Sequence, residues 1–320
     1  MPASPDTAVT SPAAAALEPA GTAARSALRT APSTALTQQI AADLDRQRQT
    51  AALRQITIPP CPALLVRLHA ALALAEPDLQ EVSRIASADV ATAATLLRNA
   101  NSALYGGDQP VQTVGQAMNR IGLNQTAVLL TDVLLRRAIA TGHPKLKRFW
   151  EQASLRAAAM HFIARQLPGM APELAQLYGL FCHVGIPVLL QRMPGYSGTL
   201  VEADARRDRS FVATENANHR TDHAVVGALL ARVWGVAPPV MAAIRLHHDL
   251  LHFARHGADP EVQTLVAMGL LAEDAMRRRE GLDTEHDWRH RAAAARDWLG
   301  VNEDDVADWN HLLQPVLDAV

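Results

Sequence analysis

Cysteine is almost missing from this chain: 320 residues hold two, Cys61 and Cys182, far apart and in no zinc-ligand spacing. That argues against a disulfide framework and suits a reducing cytoplasm. Neither sign of charge is in excess. The formal net charge of −2 provides no overall field to attract nucleic acid or an anionic membrane. No apolar run approaches the roughly 20 residues that span a bilayer. There is no glycine-rich phosphate cradle and no serine elbow. The first 35 residues lack a basic head and a continuous apolar stretch, so they do not read as a signal peptide. Their Ala, Pro, Ser and Thr content predicts a disordered tail over 1–35.

Strand patterning is also missing; what is present is helical periodicity broken by capped turns. Leu36, Ile40 and Leu44 open a lead-in helix, and Ile58-Pro59-Pro60-Cys61-Pro62 reads as a rigid extended entry. Leu64, Leu65, Leu68 and Leu72 share one helical face. Asp78 with Glu81, Asp89, Thr113 and Asn124 stand where helix starts are expected. Further helices are predicted from Lys145 to Leu167, from Glu173 to Gln191, and from Asp222, capped by Thr221, to Val233. Others follow from Pro238-Pro239, over 260–278, 288–299 and 305–320, while the polar stretch from Pro194-Gly195 to Arg220 is left without a firm element. The fold class is therefore all-α, in two parts: an N-terminal helical bundle over 36–143, then a second helical part over 144–255. Helices over 256–320 are expected to pack on the second part. No internal repeat is evident.

The organising stretch is Gly179-Leu180-Phe181-Cys182-His183-Val184-Gly185-Ile186, apolar at a helical period and followed by Pro187. A glycine inside a helix costs roughly 1 kcal/mol against alanine, so two of them six apart imply close packing. Pro187 should loosen the turn before it.

Eight landmarks in order resemble the HDOD family, a bacterial relative of the HD-domain metal-dependent phosphohydrolases. They are Ile58 to Pro62, Ala100-Asn101-Ser102-Ala103-Leu104-Tyr105-Gly106, Val111 to Leu123, Phe149-Trp150, Gly179 to Gly185, His223 to Leu230, Trp234-Gly235-Val236 and His247-His248. The resemblance runs from about Leu53 to Leu251. It implies an all-helical regulatory module of bacterial signalling, often beside cyclic-dinucleotide pathways, and makes 144–255 the HD-like part.

An HD phosphohydrolase holds its metal with an early His, a His-Asp pair and a later Asp. Placing the two glycines on the family's bracketing pair puts Cys182 at the His seat and His183 at the Asp seat. The early seat falls on Gln152 or Ala153 and the later one near Met268-Gly269. No carboxylate is then expected at the centre, so HD-type catalysis is read as lost, with no metal or cofactor.

His183, His223, His247 and His248 remain as candidate pocket residues. A satisfied core imidazole is the stronger reading of His183, and only one of the adjacent pair His247 and His248 is expected to face it. His248, His252 and His256 share a helical face, better explained as solvated residues near a helix C-terminus. Cys182, Trp150 and Trp234 read as core residues, and Asn101 and Ser102 as bonding local backbone. The arginine clusters at 136–137, 206–209 and 277–279 adjoin acidic residues or helix ends and read as solvated faces.

These readings favour a non-catalytic module working through a protein partner, since no output domain is recognisable beside it. The alternatives are a phosphohydrolase with a rearranged histidine site and a nucleotide-sensing pocket. Nucleic acid and membrane are not expected partners.

Overall fold

The computed structural model describes residues 34–102, 105, 109–139, 145–206, 208–249, 259–282 and 286–318. The predicted tail up to residue 33, Ala103, Leu104, Gly106, Gly107, Leu251, His252 and His256 lie outside them. Among the described residues there are seventeen helices and no strand. The protein is all-α.

The chain starts with α1 (Ala35–Arg48) and the short α2 (Ala51–Arg54). It continues with α3 (Ala63–Ala73), α4 (Leu79–Ala86), α5 (Val90–Ala100), α6 (Val114–Ile121) and α7 (Leu123–Ala138). Thr34, placed in the predicted tail, already caps α1 by accepting from the Thr37 N–H. Asp78, Asp89 and Thr113 cap α4, α5 and α6 as expected, and Thr113 forms a full capping box with Gln116. Gly122, not Asn124, precedes α7. Asn101 does hold local backbone: its amide donates to Val111 O at 2.9 Å and accepts from Val111 N at 2.8 Å.

The remaining helices are α8 (Lys145–Gln166), α9 (Pro172–Phe181), α10 (Gly185–Arg192), α11 (Tyr196–Ala205), α12 (Phe211–His219), α13 (His223–Val233), α14 (Pro238–Leu246), α15 (Pro260–Arg279), α16 (His286–Leu299) and α17 (Glu303–Asp318). α15 and α17 lie on α8, and α16 lies on α15. The stretch 195–220, left without a firm element from sequence, forms α11 and α12. Asp222 rather than Thr221 caps α13, accepting from Val225 N at 2.9 Å.

Two differences from expectation matter for the site. α1 packs on α13 and α14, not within the front bundle. Its buried Ile40 and Leu44 join the common core, and Arg232 bonds Ala41 O and Asp45. The single helix predicted over 173–191 is broken into α9 and α10 by the turn 182–184. Pro187 has no N–H to give to His183 O, which accepts from Ile186 N at 2.9 Å instead.

The glycines flanking that turn are there for contact. A Cβ on Gly179 would stand 2.9 Å from Ala157 Cα and Arg156 O, and one on Gly185 would stand 2.1 Å from His223 O. So α8 and α13 both press against the turn from which His183 projects. Pro172–Arg192 has the length and apolarity of a membrane span, contrary to the sequence expectation. Its most apolar window is, however, 72% buried, as a central core element is.

Trp234 is a core anchor, edge-on to Phe181 and bonded through Nε1 to Pro59 O at 2.9 Å. Trp150 is only half-buried, lying edge-on to Phe149 and beneath the Arg136 guanidinium. Arginines of the three basic clusters are paired: Arg136 with Asp132, Arg137 with Asp89, Arg206 with Asp208, Arg278 with Asp274 and Arg279 with Asp318.

Candidate functional site

Four imidazoles meet where α9–α10, α13 and α14 converge. One ring nitrogen from each of His183, His223, His247 and His248 lies within 4.8 Å of the other three. His183 comes from the turn between α9 and α10, and His223 is the first residue of α13. Both members of the adjacent pair face the site, against the expectation that only one would. The reason is local: α14 ends at Leu246, so His247 is its C-cap and His248 lies in the following turn. Helical rotation no longer separates them.

His223 is fully buried, with Nδ1 2.7 Å from Glu215 Oε2. Glu215 also accepts from the Tyr196 hydroxyl and from the His223 backbone N–H. His247 Nδ1 is 2.6 Å from Ile244 O. A carbonyl only accepts, so that nitrogen carries the proton and His247 Nε2 presents a lone pair. His223 Nε2 then stands 3.2 Å from His247 Nε2 and 3.3 Å from His248 Nε2. The His183 ring stacks on His223 with centroids 5.0 Å apart, its Nε2 lying 3.2 Å from Glu273 Oε1. Glu273 also pairs with buried Arg156.

These surroundings keep His183 and His247 neutral. Burial, then the Arg156 charge, pushes the His183 pKa down to about 3. Burial, then the neighbouring imidazoles, holds His247 well below its ordinary value. Burial opposes ionisation of Glu273, but Arg156 and His183 outweigh it and hold the carboxyl well below its usual range.

The seats inferred from the resemblance are only partly here. Cys182 is buried behind His183, with its Sγ 3.4 Å from the Tyr178 hydroxyl. Gly269 faces the Tyr178 ring and lines the same small cavity. Gln152 is elsewhere, bonded to Glu280 in an open surface hollow with Arg148. The groups that face the cluster are one turn further along each helix, Arg156 on α8 and Glu273 on α15. A shift of four residues leaves a helical face unchanged, so periodicity could not reveal it. The expectation of a centre without carboxylates is thus overturned by Glu273 and Glu215. Glu215 lies in the stretch given no firm element, and nothing in its spacing pointed to the site.

The HDOD domain family matches residues 58–250, about the same span as the landmarks. The chain belongs to the HDOD family. An uncharacterized protein of Treponema pallidum (strain Nichols) is 27% identical over 226 residues, which is 70% of this chain and 43% of that protein. The chain therefore spans less than half the length of that relative. Among solved structures, an HDOD domain protein of unknown function from Geobacter sulfurreducens superposes with a TM-score of 0.64 at 19% identity, over 89% of this chain and 95% of its own. A protein described as a signal transduction protein, from Marinobacter aquaeolei VT8, gives 0.67 at 20% identity, over 89% of this chain and 64% of its own. One described as a phosphohydrolase, from Shewanella amazonensis SB2B, gives 0.64 at 20% identity, over 89% and 97%. Likeness at this level shows a shared HD-like fold.

The HDOD site does not suit the magnesium or manganese ion of HD hydrolysis. Those hard cations take oxygen ligands. Here four nitrogens face the centre, while both carboxylates hold ring nitrogens or Arg156.

Proposed function

We infer that this HDOD protein is a non-catalytic module of bacterial signalling, acting in the cytoplasm through contact with a protein partner. The observation that carries the reading is lack of room. Among the described residues the cavity before the imidazoles is about 20 Å³, lined by Tyr178, Cys182, His183, His247, His248 and Glu273 among others. That is the space of about one water, whereas ligand sites run to roughly 300–1,000 Å³. The Arg156–Glu273 pair also stands beside His183, where an incoming phosphate would need metal and water. A paired structural arginine there supports a scaffolding role over a reactive one.

The four imidazoles favour one rival, a phosphohydrolase with a rearranged histidine site. The two readings part on turnover. Wild-type protein with added manganese, magnesium or zinc is expected to leave cyclic dinucleotides, nucleotides and aryl phosphodiesters intact. Sustained hydrolysis lost in His183→Ala would overturn the non-catalytic reading. Calorimetry with cyclic dinucleotides is expected to show no binding; saturable heat would favour a nucleotide-sensing pocket instead.

A further inference from the structure

Two buried imidazoles are held with their Nε2 atoms facing each other at contact distance. His247 Nδ1 is committed to a carbonyl, and His223 Nδ1 to a carboxylate that already receives two other donors. Their Nε2 atoms nevertheless stand 3.2 Å apart, and a third, from His248, is 3.3 Å from that of His223. His247, with its proton on Nδ1, presents a lone pair into this cluster, where a cation could be met by the neighbouring ring nitrogens as well.

The spacing also selects the cation. Nitrogens bound about 2.0–2.1 Å from a tetrahedral zinc ion lie about 3.3 Å from one another. The His223–His247 and His223–His248 separations match that edge, and all four ring nitrogens lie within 4.8 Å of one another. Each of the two rings whose Nδ1 partner is seen has the support typical of a metal-bound histidine, a carboxylate for His223 and a backbone carbonyl for His247. Glu215 against His223, and Glu273 against His183, supply negative charge to offset a divalent ion.

We propose that His183, His223, His247 and His248 form a closed, all-nitrogen site for one borderline-soft divalent ion of the zinc class. The ion ties the α9–α10 turn to the start of α13 and the end of α14. Glu215 acts as a positioning residue, fixing the His223 ring so that Nε2 faces the metal. Four protein ligands leave no open position for water. The site is thus compatible with the non-catalytic reading but does not rest on it: metal binding and turnover are measured separately and fail separately.

The test uses the full chain made without a histidine tag, stripped with chelator and returned to buffer with zinc, cobalt(II) or manganese. Elemental analysis after gel filtration is expected to find one zinc per chain and no retained manganese. Cobalt(II) is expected to give the strong visible bands of four-coordinate nitrogen ligation. His248→Gln, at the half-buried edge of the cluster, is expected to lose zinc affinity while keeping the wild-type far-UV spectrum. Glu215→Gln is expected to weaken zinc by roughly 10–100-fold, as second-layer substitutions do. Folded wild type that retains no zinc and shows no cobalt bands overturns the proposal. Zinc affinity unchanged in His248→Gln overturns the four-ligand set.

Discussion

Glu215 Oε2 lies 2.7 Å from His223 Nδ1, and both side chains are fully excluded from solvent. Glu215 sits on α12 and His223 on α13, so the contact joins two helices as well as orienting a ring. Its other oxygen takes the Tyr196 hydroxyl from α11. One carboxylate therefore holds three helices.

Replacing it should show this. Glu215→Leu would leave the Tyr196 hydroxyl and the His223 ring and backbone N–H without their acceptor. Each buried unsatisfied group costs about 1–3 kcal/mol, and three are left at once. A loss at the upper end of that range or beyond is expected in urea unfolding of chelator-treated protein. An unchanged midpoint would mean the network carries no stability.

Two glycines give a paired test of packing against propensity. Gly185→Ala places a methyl 2.1 Å from His223 O and 2.8 Å from Gly227 N, so α10 must move from α13. Overpacking typically costs about 1–3 kcal/mol, and the shift would also disturb His223. Gly198, in α11, is exposed with nothing within 4 Å of such a methyl. Gly198→Ala should gain up to about 1 kcal/mol from helix propensity. Denaturation midpoints moving the same way for both would contradict this account.

The front helices were legible because their caps are short-range chemistry: Asp78, Asp89 and Thr113 each accept from a backbone N–H three residues on. Helix ends set by tertiary fit were not. The break at 182–184 needs both Pro187 and the approach of α13 to Gly185, and α1 gives no local sign that it packs on α14. At the site, the four histidines were visible as residue types, while their partners were not. Arg156, Glu215 and Glu273 look like ordinary surface charges until distant helices bury them. Only the fold reveals which carboxylate meets which ring.

The two tryptophans should separate in cost. Trp234 is 1% exposed, with its indole N–H bonded to Pro59 O. Trp234→Ala is expected to cost about 3–5 kcal/mol. Trp150 is half-buried, so Trp150→Ala should cost clearly less. Equal shifts in chemical unfolding would argue that Trp150 carries more packing than its exposure indicates.

Acid should weaken the fold through His161 on α8. Burial pushes its pKa down, against an opposing pull from the Glu173 charge, and its buried Nδ1 has no hydrogen-bond partner among the described residues. The unfolded chain then binds the extra proton as pH falls below the ordinary histidine value, near 6.5. Stability therefore falls with pH through that window, by at most about 1.4 kcal/mol per pH unit for one proton. His161→Leu should remove this part of the slope, so its advantage over wild type should be larger at pH 5 than at pH 7.5. Parallel stability curves would show that His161 titrates alike in both states.

The Arg156–Glu273 pair offers the sharpest test of whether the residues beside His183 are structural. Arg156 is buried, with 7% of its side chain exposed, and Glu273 shows 22%. Glu273 also faces His183 at 3.2 Å. Removing one charge leaves the other in a poorly solvated place, so Arg156→Met or Glu273→Leu alone should each cost about 3–5 kcal/mol. Removing both leaves two apolar side chains in an apolar neighbourhood. The double variant should then recover most of the loss, because a buried ion pair roughly balances its own desolvation. A double-mutant cycle in urea, run on chelator-treated protein, measures the coupling directly. A coupling above about 2 kcal/mol is expected from a buried pair, and one near that of exposed pairs, about 0.2–1 kcal/mol, would place the two charges in solvent contact. The second result would also reopen the space beside His183 and weaken the lack-of-room argument against catalysis.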